Sequence, residues 1–374
     1  MRYSHVCLES LGYTLPDEVV TSSQLEERLD PLYQRLRLPP GRLELMTGIR
    51  ERRFWPAETL PSEKSVESAN RAIEAAGIDR SMIGALIHGS VCRDHLEPAT
   101  ASRVHHELNL ASDCLIYDVS NACLGLLNGM LQVANMIELG QIRAGLVVGT
   151  ESSRSLVETT IDTLNRDETL SRKTIKSAVA SLTIGSGSCA MLLCDRELTQ
   201  TGNRLLAAAA KANTQHHRLC HSGQDEAVAD GMSPLMQTDS ERLMAKGIAT
   251  GVDTFKNFLA EAEWSHGDID KTVCHQVGAA HRKLMCEAFG IDPTRDYATL
   301  EWLGNTGSVA LPITLARAAE SGFIRPDENV GLLGIGSGIN CVMASVNWQR
   351  TSVDGNQPPP EKLVESPVAV HSGA

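Results

Sequence analysis

Asp118-Val119-Ser120-Asn121-Ala122-Cys123-Leu124-Gly125-Leu126-Leu127-Asn128-Gly129-Met130 is the stretch on which the reading of this chain turns. An apolar, strand-like run, Cys114–Val119, passes through the small residues Ser120, Asn121 and Ala122 to a cysteine. The residues that follow, Leu124–Leu139, carry the spacing of a helix. A thiol placed there sits near the positive end of the helix macrodipole, so its pKa is expected to be lowered. Ala122 and Gly125 leave room for a carbonyl to come close. A packed core cysteine fits the same stretch, because free cysteine behaves as a small hydrophobe.

Working outward, strand-like runs at Ala85–His88, Cys114–Val119, Ala144–Gly149, Thr272–His275 and Val330–Ile335 alternate with helical segments. The helices are expected at Ser65–Ala76, Leu124–Leu139, Ser240–Ala262, His281–Phe289 and Val309–Ser321. This alternation predicts an α/β architecture with helices covering sheets. An internal repeat sharpens it. Ile184-Gly185-Ser186-Gly187 precedes the apolar stretch Cys189–Cys194, and Ile335-Gly336-Ser337-Gly338 precedes Cys341–Val346. The two turns begin 151 residues apart, at 184 and 335. The chain therefore divides into a first half, 1–200, and a second half, 201–350, followed by a tail, 351–374, expected to be disordered. Sixty-one residues separate Cys123 from the first turn, but only 30 separate Asn305 from the second. The excess predicts an insertion at about 152–181, either a wall of a substrate tunnel or a surface excursion or dimer contact.

Two more side chains stand where α/β folds place their sites. His275, in Val273-Cys274-His275-Gln276-Val277-Gly278, ends an apolar strand and precedes a helix. A lone histidine in such a place is more often a satisfied structural residue. Asn305, in Leu303-Gly304-Asn305-Thr306-Gly307-Ser308, is either a helix N-cap or a side-chain N–H donor to a developing oxyanion or enolate.

Composition narrows the function classes. A chain of 374 residues can bury two cores, and 42% hydrophobic with 21% charged residues is globular usage. A net charge of −12 repels phosphate backbones, and 4% aromatics leaves little for base stacking, so nucleic acid is not an expected partner. No apolar run is long enough to span a membrane, and Met1–His5 leads into a strand-like segment rather than a signal-peptide core. Ten cysteines without framework spacing predict reduced thiols and a cytoplasmic setting.

Taken in order, Asp118–Cys123, His275-Gln276, Gly304-Asn305-Thr306 and Gly336-Ser337-Gly338 resemble the motifs of the ketoacyl synthase III branch of the thiolase superfamily. Met46-Thr47-Gly48-Ile49-Arg50-Glu51-Arg52-Arg53 is similar to that branch's N-terminal motif, and the resemblance spans about residues 1–348. It implies a thiolase fold of duplicated halves in αβαβα layers. The chain departs from ordinary β-ketoacyl-ACP synthase III at Val277-Gly278, at Met46, and at Leu96-Glu97-Pro98, where that family has Ala-Asn, Arg and Phe-Pro. These departures, with Arg93–Ser102 and Leu29–Arg53, are instead similar to the head-to-head acyl-CoA condensing enzymes of long-chain olefin biosynthesis (OleA type).

The resemblance implies a non-decarboxylative Claisen condensation of two acyl-CoA thioesters to a 2-alkyl-3-oxo acid. Cys123 would carry the first acyl group, with the backbone N–H groups of Cys123 and Gly338 as its oxyanion hole. His275 and Asn305 would hold the enolate of the second. Glu97 matches a loop glutamate that reaches into the partner subunit's site as a base, which implies a homodimer. A solvated loop carboxylate is its plainer reading. Acyl-CoA or acyl-ACP is the expected partner, with no resident cofactor and no metal. The alternatives are decarboxylating condensation, acyltransferase or thioesterase use of the Cys–His pair, and a catalytically silent acyl-binding subunit. His216, His217, Cys220 and His221 are metal-ligating types, but no carboxylate scaffold or second cluster accompanies them, so a polar loop is expected. Arg50, Arg52 and Arg53 form the densest basic run, facing either CoA phosphates or solvent and a dimer contact.

Overall fold

Strand β1 (Val6–Thr14) is buried along its whole length, as a strand covered on both faces must be. It lies in the middle of an 11-stranded sheet in a computed structural model that describes residues 1–222 and 236–358. The sheet's other strands are β2 (Ile83–Gly89), β3 (Leu115–Val119), β4 (Ala144–Glu151), β5 (Gly187–Asp195) and β6 (Arg204–Ala212). They continue as β7 (Lys271–Cys274), β8 (Asp296–Tyr297), β9 (Asn329–Gly336), β10 (Asn340–Asn347) and β11 (Val353–Gly355). Every expected strand and helix is present, with ends moved by a few residues.

The strand order is β8-β7-β9-β10-β6-β1-β5-β4-β2-β3. Read from either edge inward it is the same pattern twice. β3, β2, β4, β5, β1 in the first half answer to β8, β7, β9, β10, β6 in the second. The senses match too: β2 with β4 and β7 with β9 are parallel, and β4 with β5 and β9 with β10 are antiparallel. The halves join at a narrow seam, where β1 and β6 pair at Cys7 and Arg204.

Each half supplies one helix to a central layer, α3 (Gly125–Glu138) and α7 (Ala310–Glu320). α7 is buried from Ala310 to Ala319, because sheets lie on both sides of it. Leu126, Met130 and Val133 of α3 and Ile313, Leu315 and Ala316 of α7 share one core with β1 and β9. Outside the sheets, α1 (Pro61–Ala76) and α2 (Thr100–Glu107) cover the first half, and α5 (Ser240–Ala262) and α6 (Ala279–Phe289) cover the second. The result is the five-layered αβαβα thiolase fold.

The segment after β4 forms α4 (Arg154–Arg166) and a 3-10 stretch, Thr174–Thr183. Its Val157, Ile161, Leu164 and Ile175 make a separate small core with Leu25, Leu29 and Leu32. The tail needs a correction. Residues 351–358 are ordered, and β11 extends the sheet in parallel to β1, with Leu11 N–H bonded to Ser352 O at 3.0 Å. The exposed edge of β1 beyond the seam accepts this strand, a tertiary opportunity that tail composition does not reveal. The rest of that expected disordered tail, 359–374, lies outside the described residues.

Candidate active site

Cys123 stands in the turn between β3 and α3, with Ala122 in the left-handed region at φ 45°. The turn is closed by Leu124 N–H to Asn121 O, 2.9 Å. Asn121 Nδ2 donates to Asn128 Oδ1 at 2.7 Å and to Asn340 Oδ1 at 3.0 Å, and Asn340 Nδ2 donates to Ser337 O at 2.9 Å. The Cys123 turn of the first half is thereby tied to the Gly336–Gly338 turn of the second, in which Gly338 takes φ 109°. The thiol is not lowered, contrary to the sequence expectation. Burial, then the Glu151 carboxylate, then the Cys220 thiol push Cys123 up to about 12. α3 begins only at Gly125, so the helix end is not enough to offset desolvation beside a buried carboxylate.

His275 is buried just past β7, and neither ring nitrogen has a hydrogen-bond partner among the described residues. Burial, then neighbouring His281, pull it down to about 3, so the imidazole is neutral. A neutral ring always presents one N–H donor. Gln276 fixes the chain beside it. Its Oε1 accepts Thr299 N–H at 3.0 Å and Leu300 N–H at 2.9 Å, and its Nε2 donates to Tyr297 O at 2.9 Å. That segment leads directly to Asn305.

Asn305 is held on both sides of its backbone. Its N–H donates to Thr183 O at 2.9 Å, and its carbonyl accepts Gly185 N–H at 2.9 Å. Its Oδ1 accepts Gly307 N–H at 3.0 Å, which leaves the Nδ2 end to donate elsewhere. The first Gly-Ser-Gly turn thus buttresses the Asn305 turn, and the second is tied to the Cys123 turn. At Gly185 the approach is so close that a Cβ would lie 2.0 Å from Leu303 O. At Gly336 a Cβ would lie 3.0 Å from Leu124 Cγ.

Glu97 lies on an exposed loop, and among the described residues no hydrogen bond joins it to Cys123, His275 or Asn305 of its own chain. The basic run separates into three fates. Arg52 is fully buried, donating to Ser22 Oγ at 3.1 Å and Leu182 O at 3.3 Å, so it cannot meet a phosphate. Arg53 donates to Pro16 O, and Arg50 pairs on the surface with Glu301 at 3.1 Å. The alternation of β-strand faces, which turns Arg52 inward, explains the split. Among the described residues no group of three His, Cys, Asp or Glu side chains is placed to hold a metal ion. Sequence reading missed Asn121, Asn128, Asn340, Gln276 and Glu151. For Glu151 a signal was available: an acidic residue ending the otherwise apolar strand Ala144–Glu151.

The "Thiolase, N-terminal domain" family matches residues 46–191, and "3-Oxoacyl-[acyl-carrier-protein (ACP)] synthase III C terminal" matches residues 259–348. An acyl-CoA:acyl-CoA alkyltransferase of Shewanella oneidensis is 45% identical over 93% of this chain and 100% of its own length. This chain belongs to the acyl-CoA:acyl-CoA alkyltransferase family. A second alkyltransferase, from Xanthomonas campestris, is 33% identical over 93% of this chain and 100% of its own. A crystal structure of the Xanthomonas campestris protein, OleA, superposes with a TM-score of 0.87, covering 93% of this chain and 98% of that one. Structures of that OleA include variants with a cysteine, a glutamate or a histidine replaced, and a complex with lauric acid and lauroyl-CoA. The chain is thus an acyltransferase of the thiolase superfamily. No helix among its described residues is long and apolar enough to cross a membrane.

Proposed function

We propose that this alkyltransferase condenses two acyl-CoA thioesters head to head, without decarboxylation, to a 2-alkyl-3-oxo acid. The observation that carries the reading is His275: a buried, neutral imidazole whose nitrogens find no partner among the described residues, ready to donate to a thioester oxygen. Asn305, its carboxamide oxygen already engaged by Gly307, supplies the second donor.

In the first step the sulfur of Cys123 attacks an acyl-CoA carbonyl, and CoA leaves with the thiol proton, giving an acyl-enzyme. The backbone N–H groups of Cys123 and Gly338 hold the oxyanion; the Asn121–Asn340 link between their turns supports this assignment. A second acyl-CoA then binds with its thioester oxygen on His275 and Asn305. A carboxylate takes its α-proton, and the enolate attacks the acyl-enzyme, releasing Cys123. Hydrolysis of the remaining thioester frees the acid and CoA. Each preorganised donor lost from such a site costs about 3 kcal/mol of barrier.

The base is Glu97 of the partner subunit in a homodimer. β3 is an edge strand that among the described residues pairs with β2 alone, its Leu115 is exposed, and so are Val91 and Leu96 of the loop after β2. An open strand edge with apolar neighbours supports a second copy seated there. Acyl-ACP is the alternative carrier for either acyl group. Ten free cysteines support a reducing, cytoplasmic setting. The reading is tested by Glu97→Gln. It should keep acylation of Cys123 by long-chain acyl-CoA, followed by intact mass, and lose carbon–carbon bond formation by at least roughly 10²-fold. A variant that condenses at the wild-type rate would remove Glu97 from the mechanism.

A further inference from the structure

Glu151 closes the buried strand β4 with its side chain inside the protein, and among the described residues the hydrogen bonds made to its carboxylate come from two loops. From one side Val91 N–H donates to Oε1 at 3.1 Å and Cys92 N–H to Oε2 at 3.3 Å. From the other, Ser308 donates to Oε1 through Oγ at 2.6 Å and through N–H at 3.3 Å. The first pair opens the loop that carries Glu97. The second follows the Asn305 turn. Gly307 comes so close that a Cβ there would lie 3.1 Å from Glu151 Cδ, and its φ of 58° is also glycine's territory. The N–H of this Gly307 is the one that fixes Asn305 Oδ1.

We propose that Glu151 is a positioning residue that holds the Asn305 turn and the Glu97 loop in one register for the bond-forming step. The proposal rests on the roles given above to Asn305 and Glu97. One carboxylate joins the donor that stabilises the enolate to the loop that delivers the base, and it does so across the two halves of the chain. A carboxylate is required because both oxygens face donors. Glutamine would turn its NH₂ toward the N–H of Cys92 or toward Val91 and Ser308, a donor against a donor. Aspartate, one methylene shorter, cannot reach both loops. None of the four bonds to the Glu151 carboxylate comes from Cys123 or its turn, so losing them leaves the attack of Cys123 on acyl-CoA in place.

The test uses full-length protein carrying Glu151→Gln, with acylation of Cys123 read by intact mass and condensation by product formation. Acylation should stay within about twofold of wild type while condensation falls at least roughly tenfold, the loss of about one hydrogen bond to a charged group. In Glu151→Gln/Glu97→Gln the two losses should be less than additive, as for groups acting through one loop. Equal loss of both steps with a lowered Tm, or no loss of either, would overturn the proposal. Ser308→Ala removes one of the four bonds and carries the same test if Glu151→Gln does not fold. Condensation should fall by a few-fold with acylation unchanged, and an equal fall or no fall overturns the proposal. Failure of the underlying reading shows separately, as wild-type condensation by Glu97→Gln alone.

Discussion

Cys123 is held as a thiol. Burial and the Glu151 carboxylate hold its pKa near 12, and His275, pulled to about 3, offers a donor rather than a ready base. The thiolate fraction therefore rises with pH across the whole working range, about tenfold per unit while pH stays below the pKa. Alkylation of Cys123 by iodoacetamide should follow that slope from pH 6 to pH 9 with no plateau, read as adduct mass with Cys123→Ser as the control. A plateau near neutrality would show a stabilised thiolate and contradict this electrostatic account. The local sequence pointed the other way because a helix N-terminus is visible in Leu124–Leu139, whereas Glu151 comes from another strand and Cys220 from the other half. Motif order singled out Cys123, His275 and Asn305 as candidates. Their protonation states depend on burial, which no motif encodes.

The Gly-Ser-Gly turns do at the level of elements what the sequence repeat only hinted. Each precedes the equivalent strand of its own half, β5 or β10, yet each packs on the Cys123 or Asn305 turn of the other half. Gly185 N–H holds Asn305 O, and Gly336 lies against Leu124, the neighbour of Cys123. A methyl at position 185 would meet Leu303 O at 2.0 Å. Gly185→Ala should therefore displace the Asn305 turn, lowering stability by about 1–3 kcal/mol, as overpacking does. It should also depress condensation more than acylation of Cys123, measured by denaturant unfolding and by the two activity assays. Equal effects on both steps would argue that the turn supports only the fold. Strand and helix positions were readable from periodicity, because the buried strands are nearly continuous apolar runs and the covering helices are amphipathic. The ordering of 351–358 was not, because β11 is short and polar and exists only by pairing with β1.

At the scale of the molecule, the duplicated sheet sets residues 123 and 305 at equivalent positions of its two halves, each in the turn ahead of a central helix, and the proposed site takes its base from a second copy. The first-half surplus of residues became α4 and its small core with Leu25, Leu29 and Leu32, a packing partner that the sequence did not name. If Glu97 acts across the interface, mixing inactive Cys123→Ala with inactive Glu97→Ala protein should restore up to about a quarter of wild-type activity, because half the dimers are mixed and each has one working site. No recovery after verified subunit exchange would place the base within the chain. The central claim is that both carbon partners are acyl thioesters and that the nucleophile arises by proton removal. The most direct measurement supplies wild-type protein with one long-chain acyl-CoA and no malonyl donor, and follows products by mass spectrometry. The account predicts a 2-alkyl-3-oxo acid built from two identical acyl chains, with no CO₂ released in the condensation. Product formed only when malonyl-CoA or malonyl-ACP is present, with an equal amount of CO₂, would contradict it.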